Sequence, residues 1–84
     1  MGKALAIYRI YPEENADIEK ITEDLKKIEK VRAIEKEPIA FGIVALKIGL
    51  LLDDKKDNPD EWEKKLIQTK GVKDVESLEV SLIS

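Results

Sequence analysis

Residues 40 to 52, AFGIVALKIGLLL, form the longest apolar run in this chain and carry a single charge, Lys47. Whatever core the chain builds has to cover that run, because leaving it in water forfeits the main driving force for folding. It falls short of the roughly 20 apolar residues that cross a bilayer. Helix and strand are both conceivable for so short a run. Pro38 ahead of it, Gly42 and Gly49 within it and its β-branched residues favour a long central strand.

The remaining segments read as its cover. Residues 3 to 11, KALAIYRIY, are rich in β-branched and aromatic residues and are stopped by Pro12, which cannot continue a ladder. From Asp17 to Lys30 the apolar residues Ile18, Ile21, Leu25 and Ile28 recur at steps of three and four, opposite Glu19, Lys20, Glu23, Asp24, Lys26 and Lys27. This is an amphipathic helix with one buried stripe, capped by Asn15 or Asp17. Val31 to Glu37 loses that period and reads as a short edge strand, with Pro38 holding the preceding residue extended.

After the turn DDKKDNP a second helix announces itself through Asn58 as N-cap, Pro59 at the first position and Glu61 three residues past the cap. Trp62, Leu66 and Ile67 form its buried stripe, Lys64, Lys65 and Lys70 favour its C-terminal half, and Gly71 suits a left-handed exit. Residues 72 to 83 alternate through Val75, Leu78, Val80 and Leu82 as a last strand. The order is βαββαβ, an α+β, ferredoxin-like arrangement with a four-stranded antiparallel sheet, both helices on one face and strands one and three central. Eighty-four residues suffice for one core, so residues 1–84 are expected to form a single domain.

Composition narrows the chemistry. The chain has no cysteine and no histidine, which excludes disulfides, Cys/His zinc sites, thiol nucleophiles and His-based triads. Fifteen Lys and Arg against 18 Asp and Glu, interleaved along the chain, give a net charge of −3 and no basic surface for nucleic acid or an anionic membrane. The N-terminal apolar stretch is short and interrupted by Arg9, so it reads as a strand and not a signal peptide. A cytoplasmic protein without cofactor or metal is expected. Asp53, Asp54, Asp57, Asp60 and Glu61 cluster around the second turn, but Lys55 and Lys56 sit among them and Ca²⁺-loop spacing is missing, so a solvated acidic turn is expected.

Alternation also reaches the sheet face away from the helices. With Lys47 and Arg9 pointing outward, Ile43, Ala45 and Gly49 on strand three and Leu5, Ile7 and Tyr11 on strand one share that side. The face is expected to hold Leu5, Ile7, Ile43 and Ala45 with few charges, a surface suited to an interaction or to weak self-association. Tyr8 and Tyr11 fall on opposite faces.

The segment Glu37 to Lys47, EPIAFGIVALK, closely resembles the corresponding segment of archaeal elongation factor 1-beta and of the exchange domain of its eukaryotic relatives. The opening strand ending at Pro12, the first helix, the acidic turn and the final Gly71 to Ser77 segment fall in that family's order and spacing. The resemblance implies a guanine-nucleotide exchange domain of translation elongation that binds the GTPase elongation factor 1-alpha, promotes replacement of GDP by GTP and performs no bond chemistry. It implies partner-binding residues Pro38, Ile39, Ala40, Phe41 and Gly42, with Ile83 and Ser84 at the far end of the chain. From the residues alone Phe41 reads more readily as capping the core at the start of strand three; the resemblance reverses that reading and turns it outward, towards the GTPase.

One feature of the family's pattern is missing. Relatives finish the last strand with Lys or Arg residues, one of which is held to intrude near the Mg²⁺ and phosphate site, whereas LEVSLIS carries no basic residue after Lys73. Either another group opens the partner or the chain is a divergent or shortened member. Rival functions fit less well. An RNA-recognition motif needs stacking aromatics and a positive surface, and strand three offers Phe41 alone. An acylphosphatase-like enzyme needs a phosphate-cradling loop with Arg, where this chain has the acidic PEENAD. The alternative that survives is a small-molecule-sensing or protein-interaction module of the same fold that homodimerises through its open sheet face.

Overall fold

Alternation in KALAIYRIYP decides the layering. Ala4, Ala6, Tyr8 and Ile10 are buried, while Leu5, Ile7, Arg9 and Tyr11 lie half-buried on the other side. A computed structural model describes residues 2–83, in the order β1 (Lys3–Pro12), α1 (Ile18–Lys26), β2 (Val31–Pro38), β3 (Val44–Asp53), α2 (Pro59–Ile67) and β4 (Val72–Leu82). The strands form one antiparallel sheet in the order β2-β3-β1-β4, so β1 and β3 are central, as expected.

The core lies between one face of this sheet and both helices. Ile10, Leu46, Ile48, Leu50 and Leu52 from the centre meet Ile21 and Leu25 of α1 and Leu66 of α2. Removing any one of these large side chains costs about 2–5 kcal/mol. Tyr8 is buried among them with its hydroxyl donating to the Pro59 carbonyl at 2.9 Å. Burial, followed by the nearby Glu63 and Asp60 carboxylates, pushes that phenol up to about 12.

Helix boundaries follow their caps. Asp17 caps α1 by accepting from the backbone N–H groups of Glu19 and Lys20, and Asn58 caps α2 by accepting from Asp60. Helix α1 ends at Lys26, four residues before the periodicity suggests. The bonds from Ile28 N–H to the Leu25 carbonyl and from Val31 N–H to the Ile28 carbonyl tighten the chain there and swing Ile28 against the core as β2 begins. Gly71 takes φ +90 between α2 and β4, where a Cβ would crowd the Ile21 side chain at 3.1 Å.

Three expectations need correction. Strand β3 begins at Val44, because Phe41 and Gly42 both hold positive φ and form a turn. Ile67 is 42% exposed, leaving Leu66 and the partly buried Trp62 as the inward stripe of α2. In β4 the step from Val75 to Leu78 is one residue out of phase: Tyr8 pairs with Ser77 and Ile7 with Glu79, so Leu78 is the extra residue of a bulge. Beyond it, Val80 and Leu82 pair with Ala6 and Ala4 yet stay exposed.

Candidate functional site

The β2–β3 turn is built by its backbone. Pro38 pairs with Val44 at the last rung; the Ile39 N–H donates to the Ile43 carbonyl and the Ile43 N–H to the Ala40 carbonyl, both at 2.9 Å. Reversal within so few residues requires left-handed backbone, which Phe41 takes at φ +52 and Gly42 at φ +76. For Gly42 this is free of steric cost; for Phe41 it costs on the order of 1–2 kcal/mol. No burial offsets that cost, since Phe41 is 100% exposed, with Ile43 at 53% and Ile39 at 47% beside it. Three large apolar side chains at alternate positions therefore stand in solvent on a braced loop.

The other end of the predicted site lies elsewhere. Ile83 is exposed and its N–H donates to the Lys3 carbonyl at 2.8 Å, at the start of β1, whereas the Phe41 turn lies beyond the Pro12 end of that strand. The ten-residue length of β1, about 30 Å from Lys3 to Pro12, separates the two. Pro38, Ile39, Ala40, Phe41 and Gly42 come together in one exposed loop and Ile83 does not join them; Ser84 lies outside the described residues. Ile43, read from sequence as an open-face strand residue, belongs to the turn. Its place in the alternation Ile39, Phe41, Ile43 was the signal for it.

The open sheet face is more charged than expected. Arg9 Nε donates to Glu37 at 2.7 Å and Nη1 to Glu76 at 3.0 Å, and the Tyr11 hydroxyl donates to the same Glu76 oxygen at 2.9 Å. Glu35 pairs across from Lys47 and Glu79 from Ile7. Alternation shows the outward direction of Arg9 and Lys47; the carboxylates opposite them come from the edge strands, which the pattern of strands one and three does not reveal. Ala45 is buried under this network, and the apolar part of the face narrows to the Leu5, Ile7 and Leu51 end. There a depression of about 250 Å³ opens over Gly49, with Leu5, Ile7 and Ala33 around it.

A profile of the EF-1 guanine nucleotide exchange domain matches residues 5–84. The chain belongs to that family. Over 84 residues it is 38% identical to the elongation factor 1-beta of Methanoregula boonei, covering 98% of this chain and 99% of that protein. It is 37% identical to the elongation factor 1-beta of Methanoculleus marisnigri, covering 99% and 100%. This is a family of translation elongation factors that act in nucleotide exchange, and the likeness read from EPIAFG and the element order holds over nearly the whole chain. In three dimensions the chain is similar to the ACT domain from the GTP pyrophosphokinase of Chlorobium tepidum, with a TM-score of 0.59 at 26% identity, covering 88% of this chain and 96% of that one. That likeness bears on the ferredoxin-like fold, which hosts many functions.

The acidic second turn of this family member is occupied with its own folding. Asp53 accepts from the N–H groups of Lys55 and Lys56, and Asp57 accepts from the Asp53 N–H at 2.8 Å while pairing with Lys30 at 3.0 Å. These backbone donors, with Lys30 second for Asp57, hold both carboxyls below the usual range. Among the described residues no three His, Cys, Asp or Glu side chains gather as a metal site, and no helix is long and apolar enough to cross a membrane.

Proposed function

We propose that this chain, acting as a single exchange domain over residues 1–84, promotes exchange of GDP for GTP on elongation factor 1-alpha in the cytoplasm. It binds the GTPase and disturbs the groups that hold the nucleotide phosphates and Mg²⁺. It makes and breaks no covalent bond and needs no cofactor of its own. Its effect is a difference in affinity: each tenfold weakening of GDP requires the factor to bind the GDP-free GTPase about 1.4 kcal/mol more tightly than the GDP-bound one.

The observation that carries this reading is the Phe41 ring, fully exposed on a turn whose backbone is held in a costly conformation. An aromatic side chain with few rotatable bonds, carried on a braced backbone, has a modest entropy cost to meet on binding and a large area to bury, which is how aromatic anchors dominate interfaces. Pro38, Ile39, Ala40 and Gly42 shape and flank that anchor. Ile83 gives a second contact about 30 Å away, with Ser84 assigned to it from the family likeness alone, so the GTPase is met at both ends of the sheet and not across one flat patch. Lys3, beside Ile83, is a basic side chain at that end of the sheet.

The test is release of fluorescent GDP from elongation factor 1-alpha. Wild type is expected to accelerate release, and Phe41→Ala to lose most of that acceleration at equal concentration. Equal rates for the two proteins would remove the turn from the mechanism. No acceleration by wild type would remove the function.

A further inference from the structure

The exposed turn does not stand alone. Between it and the β1–α1 connection runs a cleft of about 690 Å³, with Pro12, Ala16 and Ile18 on one side and Phe41, Ile43 and Val44 on the other. The first side is as firmly braced as the turn: the Glu13 N–H donates to the Gly71 carbonyl at 2.7 Å and the Ala16 N–H to the Glu13 carbonyl at 3.1 Å. Both walls are therefore preformed, and the lining between them is largely apolar.

Charge marks the rim. Glu13 and Glu14 are exposed at the cleft, Lys73 also lines it, and none of the three forms an ion pair among the described residues. On the nearby sheet, Glu37 and Glu76 are engaged by Arg9. We propose that this cleft receives an apolar side chain flanked by Lys or Arg from the GTPase, with Glu13 and Glu14 steering the positive charge and Lys73 opposing it. The inference rests on the exchange reading above and adds Glu13, Glu14 and Lys73 to it as specificity residues. A second copy of the chain suits the cleft poorly, because a two-fold contact there would set one pair of carboxylates against the other. A polyanion is repelled by the same pair.

The sign of the charge gives the test, since rim charges act chiefly on association rate and lose their effect in salt. Association with elongation factor 1-alpha is measured by stopped flow at low and high salt for wild type, Glu13→Lys/Glu14→Lys, Lys73→Glu, and a Glu29→Lys/Glu79→Lys control with the same change in net charge. Thermal unfolding verifies that each variant is folded. At low salt the Glu13/Glu14 variant is expected to associate about 3–10-fold more slowly than the control and Lys73→Glu about twofold faster than wild type, with both differences shrinking at high salt. A Glu13/Glu14 variant no slower than the control, or a Lys73→Glu variant that is slower than wild type, overturns the inference. If wild type accelerates GDP release and Phe41→Ala does not while the charge variants are neutral, the steering idea alone fails. If wild type does not accelerate release, the exchange reading fails and this inference falls with it. Self-association that the Glu13/Glu14 variant strengthens would assign the cleft to a second copy and also overturn it.

Discussion

Strand β3 is entered through Ile39, Ala40, Phe41, Gly42 and Ile43 and left through Asp54, Lys55, Lys56 and Asp57, two turns of similar length with opposite chemistry. In the second, polar side chains meet the backbone: Asp53 takes two N–H groups, Asp57 takes a third and an ammonium, and Asn58 caps the helix that follows. In the first, only main-chain bonds hold the loop, its large side chains are apolar and in water, and a phenylalanine sits at φ +52. The polar turn serves the fold. The apolar turn costs the fold something, and a strained, exposed arrangement of this kind points to a use outside the molecule.

That contrast predicts substitutions that separate activity from stability. The largest effect is expected for Phe41→Ala: a loss of about tenfold or more in accelerated GDP release, the usual scale for truncating an aromatic anchor, with unfolding free energy within about 0.5 kcal/mol of wild type. Asp57→Ala should do the reverse. Losing its bonds to the Asp53 N–H and Lys30 should cost about 1–2 kcal/mol in urea unfolding and leave exchange at wild-type rates. Exchange lost in Asp57→Ala without loss of stability would erase the division between the turns.

A smaller and graded effect lies in acid. Asp53 and Asp57 hold their protons less tightly folded than unfolded, so below about pH 4 the unfolded chain binds more protons and is favoured. Their contribution is whole above that pH and drains away as pH falls through the lowered folded values. Asp53→Asn/Asp57→Asn should therefore be less stable than wild type at pH 7 and approach it at pH 3; a constant gap would show that these carboxylates do not titrate with folding. The smallest effect is Phe41→Gly against Phe41→Ala. Both lose the ring, but glycine relieves the left-handed backbone, so it should be more stable by a few tenths to about 1 kcal/mol.

Much of this was legible because local chemistry and burial agree. Asn58, Pro59 and Glu61 mark a helix start that needs no tertiary help, and alternation in β1 alone sorts Tyr8 from Tyr11. What escaped depends on partners distant in sequence. Arg9 meets Glu76, 67 residues away, so the open face could not be seen as charged from strands one and three alone. The bulge at Leu78 exists only relative to Ile7 and Tyr8. The start of strand three is not visible in the sequence because Ala40 to Ile43 share the apolar composition of the strand, and only the positive φ of Phe41 and Gly42 sets them apart. The residues proposed to face the partner are named through likeness to a family; the cleft beside them, lying between the β1–α1 connection and the turn, is not legible in the sequence.

Phe41 is the sole phenylalanine of the chain, so fluorophenylalanine labelling places one ¹⁹F nucleus on the residue everything depends on. The free protein is expected to give one narrow signal sensitive to the H₂O/D₂O ratio, which shifts or broadens and loses that sensitivity when elongation factor 1-alpha is added. A signal insensitive to solvent in the free protein, or one unchanged by a saturating amount of the GTPase whose GDP release is being accelerated, would contradict the account.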